Sequence, residues 1–332
     1  MSFSWMSSLT GLRWHLLFTL ALVVALFIIP PAAGPIWITF VSYSLVIAIA
    51  CLGLNLLVGN MGLLSLGHAA YFGIGAYTIA LTMFWYDFRE IAILLPAGVG
   101  AASLVSFIVG YIASKLNKIY FSIFTLAIAQ VVWSLLVRNF NITGGASGVY
   151  VKKPIILGYD TIAITRIDFL FQFYYYFIVV LFLFTLTTCW IILKSPFGLV
   201  MKSIKLNPER TEFIGINVRR HKWVIFTVSG FFCGLSGGVF AILNGAIHPG
   251  FSDWLYSLRI LIPIILGGQD YLIGPVVGIF IFNIIEMISL NTLLTWKIMT
   301  GAMLIIISIR VPRGITGIIH DLYTRLSYVV KD

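Results

Sequence analysis

The sequence predicts an all-α polytopic integral membrane protein with about ten transmembrane helices. The mean hydropathy is +1.04, and 60% of the 332 residues are hydrophobic while only 10% are charged. A soluble domain of this length needs much more polar surface than so few charges supply. The apolar residues also fall into runs near the ~20 residues that a membrane-spanning helix requires. We therefore interpret residues 1–332 as a single transmembrane domain with no room for a second, soluble one.

Ten apolar runs predict the spans. They lie at 16–34, 36–58, 68–86, 91–113, 119–137, 170–193, 223–247, 257–268, 272–290 and 294–309. The run at 257–268 is short for a full span and predicts a half-helix or a re-entrant element, which would leave eight or nine spans. The run at 16–34 follows Arg13 as in a secretory signal, and an uncleaved anchor suits a chain embedded along its whole length.

The distribution of Lys and Arg predicts that both termini are cytoplasmic. With the N-terminus inside, about two thirds of the 21 Lys and Arg residues fall on the inner side, with the largest group in 194–222. Contact of this face with anionic lipid headgroups accounts for the formal net charge of +10. The positive charge therefore gives no reason to expect a nucleic-acid partner.

The apolar stretch at 51–81 contains a glycine-rich passage with four polar residues, Asn55, Asn60, Ser65 and His68. Irregular backbone at membrane depth is tolerated only where protein buries it or where it lines a polar cavity. The passage is therefore either a wall of a transport pathway or a tight turn whose glycines allow two helices to pack closely.

Two loops are long enough to have a role of their own. The external loop at 138–169 carries a turn-rich run around Thr143, Gly144 and Gly145. It either caps the outer mouth of a pathway, docks a partner, or is a solvated connector.

The cytoplasmic loop at 194–222 contains signals for a short amphipathic helix. Asn207 is a suitable N-cap, Pro208 and Glu209 suit the first turn, and Gly215 suits the C-terminal stop. Such a helix of about two turns docks in a groove of a cytosolic partner or lies on lipid headgroups.

Further candidates lie in the C-terminal half. Gly230, Gly234 and Gly238 recur at four-residue spacing, which favours a helix-packing face over a direct role in transport. A second broken stretch at 266–275 precedes Glu286. An intramembrane acid is a functional candidate by default, and Glu286 either pairs with a neighbour or reaches the interface from a helix end.

Several chemistries lack their motifs in this sequence. The chain contains no G-x-x-x-x-G-K-[ST] motif for ATP and no H-E-x-x-H motif for metal-dependent hydrolysis. The three cysteines, Cys51, Cys189 and Cys233, lie far apart within predicted spans, so we predict neither a disulfide nor a metal site. A chain of intramembrane acids and histidines is also missing, which argues against ion-coupled transport.

Two stretches are long enough to suggest a family. The segment GLNLLVGNMGLLSLGHAAYFGIGAY at 53–77 and the segment 197–241 resemble the inner-membrane permeases of bacterial branched-chain amino-acid ABC importers. Shorter stretches that are similar to this family follow the same order at 120–133, 141–149, 266–286 and 311–318.

The resemblance implies a transport subunit in the bacterial inner membrane that is not itself an enzyme. Its expected partners are a second related permease, two cytosolic ATPases and a periplasmic or lipid-anchored substrate-binding protein. The chain itself would carry no cofactor, because the ATPases would bind ATP and Mg. On this pattern Glu209, Glu212 and Gly215 mark the ATPase dock, and the cargo would pass near the polar residues of the 51–81 stretch.

Departures from the family pattern leave the cargo open. Arg210 and Thr211 stand where ABC permeases commonly have two alanines, and Ala146 and Ser147 follow the external TGG where many relatives have an acid. Relatives also move urea or short amides. A channel or facilitator that needs no ATPase, and a membrane-embedded scaffold, are the alternatives from other classes.

The predicted topology can be checked with reporter fusions. A reporter fused after Lys205 is expected to be cytoplasmic, and one fused after Lys152 is expected to be external, since an odd number of spans separates the two loops. Enzymatic activity of side-specific reporters would measure this. The opposite result for both fusions would invert the topology.

Overall fold

The computed structural model describes residues 34–156, 159–160, 165–290, 301, 305 and 314–318. Its first helices are α1 (Pro35–Met61), α2 (His68–Tyr86), α3 (Ile91–Ala113), α4 (Lys118–Arg138), α5 (Phe140–Thr143) and α6 (Arg166–Phe169). The next are α7 (Tyr175–Lys194), α8 (Pro196–Leu206), α9 (Pro208–Phe213), α10 (Val218–Asn244), α11 (Trp254–Gly267) and α12 (Gly274–Leu290). The predicted runs at 16–34 and 294–309 lie almost entirely outside the described residues.

Five of the described helices are long and apolar enough to cross a membrane, namely α1, α3, α4, α7 and α10. The 19 residues of α2 lie at the predicted run 68–86, and the shorter α11 and α12 lie at the last two described runs. The structure therefore agrees with an all-α membrane protein, while the total of ten spans stays a prediction.

Helices α1 and α10 form the centre of the molecule. About nine tenths of the most apolar stretch of α1 (89%) and 83% of that of α10 are buried within the protein, against 17% for α4 and 28% for α7. Because α4 and α7 are at least as apolar as α10 but lie at the periphery, apolar composition alone does not decide which helix is central. Cys51, Cys189 and Cys233 are buried within α1, α7 and α10 and are not joined by a disulfide.

Glycines allow α10 to approach its neighbours at backbone distance. A Cβ atom on Gly237 would collide with the carbonyl oxygen of Phe72 in α2, and one on Gly234 would collide with Ala102 in α3. A Cβ on Gly230 would collide with Ser106, also in α3. A Cβ on Gly238 would crowd the Ile79 side chain of α2. Gly230, Gly234 and Gly238, the three glycines singled out from the sequence, therefore all face neighbouring helices.

Helices α11 and α12 form a tight antiparallel hairpin. A Cβ on Gly278 would collide with the carbonyl oxygen of Pro263, and one on Gly267 would collide with that of Gly274. Because α11 has only 14 residues, it is about 21 Å long and shorter than the ~30 Å hydrocarbon layer. The predicted half-helix at 257–268 is therefore present as α11.

Loops predicted for one side of the membrane gather at one end of the helices. At the end that we call outer, β1 (Val149–Tyr150) pairs with β4 (Ala246–Ile247), and β2 (Ile155–Ile156) pairs with β3 (Tyr159–Asp160). These strands are small additions that the all-α prediction did not include. At the inner end lie the α1–α2 connection, α8 and α9, and the turn between α11 and α12.

An ion pair attaches the outer loop to the end of α2. Lys152 Nζ lies 2.8 Å from Asp87 Oδ1, just after α2 ends. The hydrogen bond from Lys152 and its positive charge hold the pKa of the Asp87 carboxyl below its usual value. The carboxylate is therefore charged throughout the neutral range, and the contact with the loop is kept.

The loop predicted to be cytoplasmic, at 194–222, is shorter and more ordered than the sequence predicts. We predicted a single helix in 194–222, but α8 precedes it and α10 begins at Val218. Asn217 caps α10 by accepting a hydrogen bond from the Arg220 amide, 2.9 Å away. Charged residues at 219–222 extend the helix beyond its apolar part, which is why hydropathy placed the start of this span at 223.

Removing the glycine contact between α2 and α10 should destabilise the protein. Gly237→Ala is expected to cost about 1–3 kcal/mol, because its methyl group collides with backbone that cannot rotate away. The loss of monodisperse protein on heating in detergent measures this. Gly100→Ala is the matched control, since a Cβ on Gly100 in α3 meets nothing within 4 Å. Equal stability of the two variants would contradict the packing argument.

Candidate functional site

The first helix break lies between α1 and α2 and is held by α4. Gly62 ends α1 in the left-handed conformation (φ 69°), and residues 63–67 are not helical. The Leu66 amide donates to the Thr125 hydroxyl (3.2 Å), and the Ser122 hydroxyl donates to the Leu64 carbonyl (2.6 Å). These side chains supply the partners that non-helical backbone needs in a membrane protein.

The four polar residues predicted to line a pathway are all buried at this inner end. Their exposed fractions are 2% for Asn55, 7% for Asn60, and 0% for Ser65 and His68. The prediction of irregular backbone is correct only for the connection itself. Asn55 and Asn60 lie on regular helix, because α1 continues to Met61.

His68 connects the break to the central helix α10. Its Nδ1 lies 2.8 Å from the Ser65 hydroxyl, and its Nε2 lies 2.7 Å from the Ser229 hydroxyl. The ring also meets Phe226 of α10 edge to face, with the centroids 5.6 Å apart. Both ring nitrogens therefore have partners, and the imidazole fastens α2 to α10 in this conformation.

Asn55 differs from His68 because its carbonyl oxygen has no partner. Asn55 Oδ1 is buried without a hydrogen bond among the described residues, and it faces Gly59 one turn further along α1. The Asn60 amide donates to the Asn55 backbone carbonyl (3.2 Å) rather than to this oxygen. Burying such a group unpaired costs about 1–3 kcal/mol, so the Asn55 oxygen is an acceptor with unused capacity for a hydrogen bond.

A second polar contact lies near the middle of the helices and was not found from the sequence. Gln130 Nε2 donates to Asp253 Oδ1 (2.9 Å), which joins α4 to the residue just before α11. Gln130 is in the thirteenth position of α4, so the chain before α11 descends between the helices. Ser252 confirms this descent, since it lies against Gly73 of α2. The only sequence signals were single polar residues beside apolar runs.

Glu286, which the sequence predicts to lie within the membrane, forms an ion pair. Its carboxylate accepts a hydrogen bond from Arg259 across the α11–α12 hairpin, and the Arg259 guanidinium also lies 6.0 Å from the centre of the Tyr256 ring. Of the two alternatives from the sequence, pairing with a neighbour is the arrangement in this structure. Charges at membrane depth are retained where such a partner is present.

The external TGG run forms a compact turn. The Thr143 hydroxyl donates to the Leu136 carbonyl (2.6 Å) and to the Asn139 carbonyl (2.8 Å), so it closes the end of α4. Gly144 and Gly145 have φ values of 70° and 57°, a conformation that glycine adopts without strain. The turn leads directly into β1 and so fixes the start of the outer sheet.

The predicted short amphipathic helix is present as α9. The Asn207 side chain accepts from the Arg210 amide (3.0 Å), which confirms the predicted N-cap, and Gly215 (φ 85°) follows the helix end. Glu209 and Glu212 are exposed on α9. The apolar side chains beside them are exposed as well, with 87% for Leu206, 88% for Phe213 and 73% for Ile214.

The fold and these features define a polytopic permease with two helix breaks and an exposed inner helix. The family model described as branched-chain amino acid transport system, permease component, matches residues 36–308. The chain belongs to this family and is a multi-pass protein of the inner membrane. The family is a membrane permease component and not an enzyme.

Relatives support this assignment over nearly the whole chain. The high-affinity branched-chain amino acid transport system permease protein LivM of Escherichia coli (strain K12) is 28% identical, over 90% of this chain and 74% of the relative. LivM of Salmonella typhimurium is 27% identical over the same shares. The guanosine ABC transporter permease protein NupQ of Bacillus subtilis is 43% identical over 16% of this chain and 17% of its own length. No solved structure matches the chain significantly.

Whether the buried polar residues line a pathway can be tested by cysteine labelling. Asn60→Cys is expected to be unreactive towards a water-soluble thiol reagent at rest and reactive during transport, because residue 60 is 7% exposed here. The native cysteines are buried and give little background. Leu64→Cys is the control that should react in every state, since Leu64 is 40% exposed. Inertness of Asn60→Cys throughout would favour a packing turn.

Proposed function

We propose that this chain is the transmembrane permease subunit of an ATP-driven importer of branched-chain or related amino acids. Membership of the permease family over residues 36–308 carries the proposal. The cargo is suggested by the names of the two LivM relatives, which describe branched-chain amino acid transport and which match nine tenths of this chain.

The proposed partners follow from the same assignment. Cytosolic ATPase subunits would bind ATP and Mg, since this chain contains no P-loop motif. On this proposal the chain itself would carry no cofactor. A substrate-binding protein would deliver cargo at the outer end, and a second, related permease would complete the membrane part. The LivM relatives are named as components of a transport system, which supports an assembly of several chains.

The exposed surface of α9 is the proposed ATPase dock. Leu206, Phe213 and Ile214 present apolar surface to solvent next to the carboxylates of Glu209 and Glu212. An amphipathic helix of this kind is stabilised by the groove of a partner protein. Thr211 is 3% exposed and its hydroxyl donates to the Asn207 carbonyl (2.8 Å), so the departure at this position holds α9 internally and does not face the dock.

The proposed mechanism is a shift between inward-open and outward-open states. ATP on the partner subunits would favour one state, and loaded binding protein outside would favour the other. Each ligand would shift the equilibrium because it binds the two states with different affinities. Cargo would pass near Asn55, Asn60, Ser65 and His68, where neutral polar groups suit a zwitterion. No bond of the cargo changes, so this subunit performs no chemistry on it.

The first test is co-purification in mild detergent with identification of the bound proteins. A P-loop ATPase and a second permease should remain bound, and proteoliposomes of that complex with its binding protein should take up leucine, isoleucine or valine on ATP addition. Uptake of urea, short amides or guanosine instead would keep the importer and change its cargo. A homo-oligomer that transports without any ATPase would establish the facilitator alternative.

A matched pair of substitutions tests the dock. Gly215→Pro should reduce uptake at least tenfold without loss of membrane insertion. Proline cannot adopt φ 85°, and it has no N–H to donate the hydrogen bond that the Gly215 amide makes to the Glu212 carbonyl. Gly215→Asn tolerates this conformation better and should stay within about twofold of wild type. Glu212→Lys should weaken ATPase retention by reversing an exposed charge. Normal uptake by both Gly215→Pro and Glu212→Lys would exclude α9 as the dock.

A further inference from the structure

Three separate elements meet at the ammonium group of Lys205 at the inner end. Lys205 lies in the last turn of α8, and its Nζ donates to the Gly59 carbonyl of α1 (2.6 Å) and to Asp270 Oδ1 (2.8 Å). Asp270 belongs to the turn between α11 and α12. One side chain therefore holds the end of α1 and the second helix break at once.

The Gly59 carbonyl needs this external donor. It lies in the last turn of α1, where helix carbonyls lack amide partners within the helix. The next amide in the ladder, that of Leu63, bonds to the Leu57 carbonyl instead (3.1 Å). A cation at a helix C-terminus is also favoured by the helix dipole. Lys205 thus acts as a cap for α1 that is supplied by a different element.

The surroundings leave little space for these elements to move independently. A Cβ on Gly59 would collide with the Gln269 carbonyl oxygen, and one on Gly62 would lie 3.1 Å from Lys205 Cγ. The Thr316 hydroxyl donates to the Gly267 carbonyl from a further segment. The second break therefore lies directly against α1, and the stem of Lys205 lies against the residue that ends α1.

The same lysine is connected to α9 by a very short segment of chain. Only Leu206 separates it from Asn207. The Asn207 amide donates a hydrogen bond to the Ser203 carbonyl (3.0 Å) at the end of α8, and the Asn207 side chain caps α9. On the other side, Gly59 is in contact with the unpartnered oxygen of Asn55. A continuous series of contacts therefore runs from α9 through Lys205 to the first helix break and to the second.

We propose that Lys205 is a positioning residue that makes both helix breaks follow the movement of α8 and α9. The inference rests on the proposed function, because it assumes that a partner ATPase moves α9. In the absence of the ammonium group, α9 would still bind the ATPase, but its displacement would no longer move Gly59 and Asp270 together. ATP hydrolysis would then continue without productive transport.

The test uses the complete transporter, which is co-purified and reconstituted with its binding protein. Lys205→Met should reduce uptake at least tenfold, retain the ATPase, and reduce the stimulation of ATP hydrolysis by loaded binding protein to under a third of wild type. Lys202→Met is the matched control, since it removes the same charge from the same helix at an exposed position. It should stay within twofold of wild type in both assays.

Asp270→Asn tests the same contact if Lys205→Met does not fold. The Asp270 side chain is 58% exposed, so it tolerates substitution more readily. It should reduce uptake per ATP hydrolysed three- to tenfold, and the double variant Lys205→Asp, Asp270→Lys should recover part of the loss. Wild-type uptake per ATP in Asp270→Asn, or in a folded Lys205→Met complex that retains the ATPase, would overturn the inference. Absence of any ATPase from the wild-type complex would instead overturn the proposed function.

Discussion

The close approach of α10 to α2 and α3 is the constraint on which the rest of the structure depends. Lipid offers no hydrophobic force that drives apolar helices together, so contact between backbones must supply the association. Gly234 and Gly237 permit that contact because a side chain at either position would collide with the facing helix. Once α2 is seated on α10, the His68 ring lies between Ser65 and Ser229 and the first break has its position.

The helix breaks are held differently from this glycine-packed centre. Hydroxyl groups of α4 bond the backbone of 64–66, and the Lys205 ammonium bonds Gly59 and Asp270. Each of these hydrogen bonds can be replaced by one to water or to another partner. The closely packed helix backbones leave no space for small, gradual shifts. A tightly packed centre with polar contacts at its inner end is compatible with the proposed change between two states.

Features set by neighbouring residues were predictable from the sequence. Asn207, Pro208 and Gly215 act within one or two turns of α9, so the cap and the stop were found correctly, and the short apolar run at 257–268 gave the half-helix α11. Pairing of Glu286 with a neighbour was one of two alternatives from the sequence. Its partner Arg259 was not predicted, because 27 residues separate the two and the hairpin alone brings them together. Gln130 and Asp253 were missed, since 123 positions separate them in the chain.

The sequence by itself determined that this protein is a helical membrane protein and a member of a permease family, because hydropathy, glycine spacing and family motifs are properties of consecutive residues. Only the tertiary structure decided which polar groups are satisfied and by what. His68 is fully partnered while the Asn55 oxygen is not, and Lys205 caps a helix that ends 144 positions before it. Hydrogen bonds depend on distances of about 3 Å between atoms, and folding alone sets such distances between remote residues.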